Sequence, residues 1–128
     1  MLLAGCGEYQ QVLKSKDPAY KFQKALAYFN AKEYVKSQTL LEDVAAYYKG
    51  TERSEDVLCY LARSYMGKKS YSEAADYYAA YIRNYPKGKY ITEARFQVGH
   101  CYYLDSPDAR LDQDITRKAI DAFTEFTE

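Results

Sequence analysis

The chain has no tryptophan, one histidine and only three cysteines in 128 residues, and each shortage removes a class of function. Cys6, Cys59 and Cys101 are too few and too irregularly placed for a disulfide framework. No CxxC pair and no Cys/His spacing offers a zinc site, so neither metal nor cofactor is expected. No nucleophile-and-base set can be read around His100, and enzymatic activity is not expected. No charge dominates either: 18 basic residues balance 18 acidic ones and no Lys/Arg-rich run occurs. The electrostatic footprint that holds a phosphate backbone is therefore missing, which argues against a nucleic-acid partner. What is abundant is tyrosine, at 16 residues. Its large ring suits layers packed near water, where the hydroxyl can find a partner. An apolar share of 48% with 28% charged residues fits one folded domain, neither disordered nor membrane-spanning.

Ala25, Ala62 and Gly99 are small residues spaced 37 apart, and each precedes a tyrosine by three positions: Tyr28, Tyr65 and Tyr102. The middle copy continues through Tyr71, Ala74, Tyr78, Tyr81, Ile82 and Pro86. This alternation of small and large residues resembles the tetratricopeptide (TPR) signature, a helix-turn-helix unit with a period of roughly 34 residues. Small residues such as Ala62 and Ala74 leave holes, and Tyr78 and Tyr81, three apart on one helix face, supply knobs. The first copy carries Ala25, Tyr28, Tyr34, Ser37, Leu41 and Val44 in these places, and the third Gly99, Tyr102, Ala119, Phe123 and Phe126. The expected fold is all-α: TPR-type repeats stacked in a right-handed superhelix of about six helices. The repeats should span about 18–54, 55–91 and 92–128 within a 17–128 unit.

Local signals set the helices. Asp17-Pro18 offers an N-cap and a first-turn proline, which predicts a helix over 18–30. Ser54 before Glu55 and Asp56 predicts a second capped start. The intervening helices should cover roughly 34–48, 71–85 and 90–104. An insertion of eight residues separates the last two helices, within Asp105 to Asp114. Its four aspartates lack the order of a calcium loop and read as turn and cap residues. Cys59 and Cys101 fall inside helical patterns and read as small buried side chains, with a disulfide or a reactive thiol as the alternatives.

Leu3-Ala4-Gly5-Cys6 resembles a bacterial lipobox, which would make Cys6 a lipidated mature N-terminus. Residues 1–5 would then be the remnant of a signal peptide lacking its basic and long apolar regions. Residues 6–16 would be a polar tether; the alternative is a frayed tail with a chance cysteine. No polar element follows the third repeat, so the chain is expected to be the N-terminal part of a longer protein. An uncapped last repeat should self-associate weakly through its second helix.

The TPR resemblance implies a concave groove lined by the first helix of each repeat. Its positions correspond here to Phe22, Leu26, Phe29, Arg63, Met66, Phe96, His100 and Tyr103. Such a surface is largely aromatic, with Arg63 and a protonated His100 as cations, and suits an extended peptide that ends in a carboxylate. The opposing possibility is that the aromatics fill the core between repeats and that Arg63 is a solvated surface residue. The lipobox, the Asp17-Pro18-Ala19-Tyr20 opening, the Asn84-to-Ala94 link and the insertion together resemble the BamD family of outer-membrane lipoproteins. That resemblance implies a non-enzymatic periplasmic scaffold of the β-barrel assembly machinery, anchored to the outer membrane through Cys6. Its N-terminal repeats would receive unfolded or nascent outer-membrane β-barrel proteins. BamA and other machinery subunits would dock mainly on repeats beyond this chain. The alternatives are another periplasmic TPR lipoprotein or adaptor in division or peptidoglycan work, and an envelope enzyme whose catalytic part lies elsewhere.

Overall fold

A computed structural model describes residues 2–108 and, beyond them, 111, 117, 118 and 120–122. The long elements in the described part are all helical: α1 (Leu2–Lys14), α2 (Pro18–Asn30), α3 (Tyr34–Tyr48), α4 (Arg53–Gly67), α5 (Tyr71–Asn84) and α6 (Ile91–Leu104). From α2 onward each helix packs most extensively on its neighbours in sequence, and α1 touches α2 more lightly. A chain that buries its faces only against sequential neighbours is a stacked array, and the fold is all-α and TPR-like. Of the second helix of the third repeat only 117, 118 and 120–122 are described; Ala119, Phe123 and Phe126, half of the Asp105-to-Asp114 insertion and most of the expected self-association surface lie outside the described residues.

The helix starts follow from local chemistry. Asp17, in an extended conformation, accepts from the backbone N–H groups of Ala19 at 3.1 Å and Tyr20 at 3.4 Å through Oδ1, and Pro18 begins the helix. Ser54 does not cap α4 as expected. The chain already turns at Tyr48–Thr51, and Ser54 N–H and Glu55 N–H bond back to the carbonyls of Thr51 and Glu52. These short-range bonds satisfy donors that a capping hydroxyl would have served. Glu55 and Asp56 remain in the first turn, where their charge favours the helix dipole.

The two hairpin turns repeat to the residue. Lys32 (φ 63°) and Lys69 (φ 65°), 37 positions apart, are both left-handed. In the first, Lys32 N–H reaches Phe29 O and Glu33 N–H reaches Tyr28 O; in the second, Lys69 N–H reaches Met66 O and Ser70 N–H reaches Tyr65 O. This pair of crossing bonds ends a helix and reverses the chain, and it usually employs glycine. Just before the second turn Gly67 lies so close to the Tyr34 ring that an added Cβ would sit 2.5 Å from it. The second hairpin is thereby seated against the first.

Two clusters form the core. Phe22, Ala25, Leu40, Leu41, Val44, Tyr48, Val57 and Leu61 build one between the first repeat and the start of the second, joined by Val12 of α1. Ala62, Ala74 and Ala75, all fully buried, receive Tyr78 and Tyr81 in the other, alongside Cys59, Ala94 and Cys101. The expected holes and knobs are thus in place in the middle repeat. Gly99 differs from Ala25 and Ala62, being exposed, with nothing within 4 Å of a Cβ placed on it. Ala94 and Cys101 fill the buried face of α6 instead.

The stretch 6–16, expected as a polar tether, is a helix through Lys14 and its end is docked. Val12 is fully buried, Tyr9 and Leu13 pack on the first core, and the Tyr9 ring meets Tyr28 edge-on at 5.7 Å. Lys36 sits over both of these rings, and Glu8 pairs with Lys24. Tyr9, Val12 and Leu13 share one helix face, so an apolar stripe runs through a mostly polar segment. The side chain of Cys6 lies outside the described part.

Because a Cβ in the left-handed region costs about 1–2 kcal/mol, partly offset by glycine's greater freedom when unfolded, Lys32→Gly and Lys69→Gly should each stabilise the chain. Urea titration should show a gain of roughly 0.5–1 kcal/mol apiece. A loss at both positions would mean that the lysine side chains contribute more than their backbone strain costs.

Candidate peptide-binding groove

The residues expected along the groove separate into three groups. Phe22 is buried, edge-on to Tyr48 at 6.0 Å, and Leu26 packs on the same core. Phe29 is half-buried between Tyr34 at 5.5 Å and Tyr60 at 5.2 Å, both edge-on. Met66 sits against the second core, its sulfur 3.1 Å from the Cys101 thiol. These four side chains mainly join helices. Phe96, His100 and Tyr103 form the second group, at helical spacing on α6. Phe96 is 65% and Tyr103 50% exposed, and the His100 ring stacks on Phe96 at 5.5 Å.

Arg63 stands alone and is not a solvated cation. Its Nε donates to Glu93 Oε2 at 2.7 Å and its NH2 to Oε1 at 2.5 Å, a two-pronged pair between α4 and α6. The guanidinium lies over Tyr60 at 5.0 Å and Tyr90 at 4.9 Å, so its charge is framed by two rings as well as neutralised. Tyr78 donates its hydroxyl to Glu93 Oε2 at 3.3 Å, and the Cys59 thiol approaches the same oxygen at 3.8 Å. The bond from Arg63 holds Glu93 below the usual carboxylate range, and Glu93 in turn raises Arg63. Recognition of a peptide carboxylate by Arg63, as expected from position alone, would require breaking this pair.

A second network continues the junction. Glu55 Oε1 accepts from the Tyr81 hydroxyl at 2.5 Å and Lys89 N–H at 2.7 Å, while Tyr90 N–H donates to Tyr81 Oη at 2.8 Å. Tyr90 Oη–H and Lys89 Nζ both reach Asp56 Oδ1. Gly88 is required there, because a Cβ would sit 2.2 Å from the Tyr81 oxygen and 2.5 Å from Glu55 Oε1. Burial pushes the Cys59 thiol up to about 12 and also raises Cys101, and both are unbridged. Neither carries a thiolate at neutral pH.

Position-based reading missed Arg53. Its guanidinium covers the Phe22 ring at 4.8 Å and Tyr48 at 5.4 Å, and no carboxylate pairs with it among the described residues. It lies ten residues before Arg63, about a quarter turn round α4 from it. The aromatic neighbour Tyr48 gave the only sequence signal.

Helical hairpins, an aromatic stripe and a ring-stacked arginine without a carboxylate define a TPR-type scaffold. A sequence profile of the YfiO family, described as outer membrane lipoprotein, matches residues 14–128, and the chain belongs to that family. No curated protein matches the chain. Membership assigns it to the cell envelope and to a family of scaffolds rather than catalysts. Among the described residues no helix is long and apolar enough to cross a membrane.

The Arg63–Glu93 pair makes stability depend on pH with a definite sign. Glu93 has its folded pKa below its unfolded value of about 4.3, so its contribution is full above that pH and is lost as pH falls through the lowered value. Glu93→Gln should lower stability at pH 7 by roughly 2 kcal/mol and flatten the decline between pH 5 and 3. Urea melts across that range check it, and an unchanged pH slope would show that Glu93 is not the titrating group.

Proposed function

We propose that the chain is a BamD-type, non-enzymatic scaffold of the outer-membrane β-barrel assembly machinery, whose concave face receives extended, aromatic-rich segments of unfolded barrel proteins. Membership of an outer-membrane lipoprotein family over residues 14–128 carries this reading. The exposed Phe96, with His100 stacked on its ring, supports it, since aromatic surface held in water is costly unless a partner covers it. Arg53, about a quarter turn round α4 from Arg63, would offer a cation at the edge of this face. Its rings orient the guanidinium and leave it free of carboxylates among the described residues, ready for an acidic side chain or a chain terminus. Phe22 and Phe29 shape the surface from beneath.

Cys6 would carry the lipid that holds the scaffold to the outer membrane. Gly7 and Glu8 would then be all that separates the anchor from Tyr9, the first residue packed on the array. The first repeat would sit close to the bilayer, with little slack for reorientation. A multiply acylated cysteine gives the stable anchoring that one chain does not. BamA and other subunits of the machinery are the partners proposed for the assembled protein.

Photoreactive residues at Arg53, Phe96 and Tyr103, with Tyr47 as an exposed control, test the reading in envelope membranes. The expected products are crosslinks to unfolded barrel segments at the first three positions and none at Tyr47. Crosslinks to division or peptidoglycan proteins, with none to BamA or barrel chains, would replace the assembly role with an adaptor role. Arg53→Gln should weaken capture of an aromatic peptide bearing a free carboxylate about tenfold, equivalent to ~1.4 kcal/mol. An unchanged affinity would remove Arg53 from the site.

A further inference from the structure

α4 has a second working face. At 3.6 residues per turn, Ser54 and Leu61 lie on the side of the helix opposite Arg63. There they floor a cleft of about 320 Å³ together with Val57 and Leu58. Glu42 and Ala45 of α3 form one wall; Tyr77, Asn84 and Tyr85 at α5 form the other. Tyr77 and Tyr85 are eight residues apart, so the cleft runs roughly 12 Å along α5 at about 1.5 Å per residue. That length matches three to four residues of extended chain, at about 3.3–3.6 Å each.

The polarity of the cleft is one-sided. Glu42 is the only acidic or basic side chain among the described residues that line it. Its Oε1 accepts from the Tyr65 hydroxyl at 2.7 Å and from Gln38 Nε2 at 3.1 Å, both uncharged donors. The nearest described cation in this network, Lys68, gives its ammonium to Gln38 Oε1 and lies over the Tyr65 ring at 4.7 Å. No ion pair to Glu42 forms among the described residues, and its second oxygen accepts no hydrogen bond there. At the other end, the Ser54 hydroxyl and the Asn84 carboxamide make no side-chain bond among the described residues. An asparagine amide both donates and accepts, which matches the backbone of an extended segment.

We infer that this cleft docks a short extended segment of a partner protein, in which an apolar side chain and a lysine or arginine stand two residues apart. Residues at that spacing point to the same side of an extended chain. The apolar side chain occupies the floor at Val57, Leu58 and Leu61. The cation meets Glu42, and Ser54 and Asn84 hold the backbone. The site lies on the side of α4 opposite Arg63 and does not rest on the reading of the proposed groove.

Backbone-amide NMR of the full 128-residue chain tests it, with a blocked peptide Gly-Leu-Thr-Lys-Gly and the same peptide carrying glutamate for lysine. Saturable shifts are expected at Ala45, Leu58 and Asn84 in the millimolar range. The glutamate peptide should bind at least threefold more weakly. Glu42→Gln should narrow that difference, and Asn84→Ala, at an exposed residue, should weaken both peptides alike. Equal binding of the two peptides, shifts confined to Arg53 and Phe96, or no saturable shift would overturn the inference. The first result removes the charge match, the second moves the site to the concave face, and the third removes the cleft.

Discussion

Arg63 and Glu93 join two helices that share no hairpin, and the placement of α6 on the second repeat depends on that join. The fork geometry leaves both carboxylate oxygens occupied, and Tyr60 and Tyr90 close over the guanidinium. Side chains only 26% and 30% exposed would be costly to hold as isolated charges, so each ion requires the other. Removing either one leaves a partly buried charge with weaker partners, here the Tyr78 hydroxyl and the Cys59 thiol for Glu93. The pair therefore sets the position of α6, and with it the Phe96–His100–Tyr103 stripe, which continues along the helix from Glu93.

Both junctions of the array join packed rings to tyrosine-hydroxyl bonds with carboxylates. Between the first and second repeats Phe29 meets Tyr60, Val57 and Leu61 enter the shared cluster, and the Tyr65 hydroxyl bonds Glu42. Between the second and third, tyrosine hydroxyls carry much of the connection: Tyr78 donates to Glu93, Tyr81 accepts from Tyr90 N–H at the start of α6, and Tyr90 bonds Asp56. This explains the composition. A chain rich in tyrosine can bury a ring and bond its hydroxyl at one position, which suits thin helical layers with water near both faces. Gly88 follows from the same network, because its missing side chain is the space the Glu55–Tyr81 bond occupies.

Much of the scaffold was legible before the structure. The 37-residue register located the hairpins, and Asp17-Pro18 placed the start of α2 to the residue. Two features were not, for physical reasons. The end of α1 reads as polar because Tyr9, Val12 and Leu13 are few, although their spacing builds one apolar face. Arg63 reads as a groove cation because its partner lies 30 residues away, and no local pattern announces a pairing across two repeats. Position within the repeat assigned Arg63 to the groove. It could not show that Arg63 was already paired, nor that Arg53, nearly three turns earlier, was the arginine left without a carboxylate.

Membership of the outer-membrane lipoprotein family gives this geometry its setting in the cell envelope. The account rests on the ionic junction holding α6 in place. Its most direct test is a double-mutant cycle of Arg63→Gln and Glu93→Gln, read by native-state hydrogen exchange of the α6 amides at pH 7. The account predicts that each single change lowers α6 protection sharply and that the double change costs far less than their sum, with a coupling of about 1.5 kcal/mol or more. Additive losses, or α6 protection unaltered by either change, would contradict it and leave the aromatic contacts alone to position the helix.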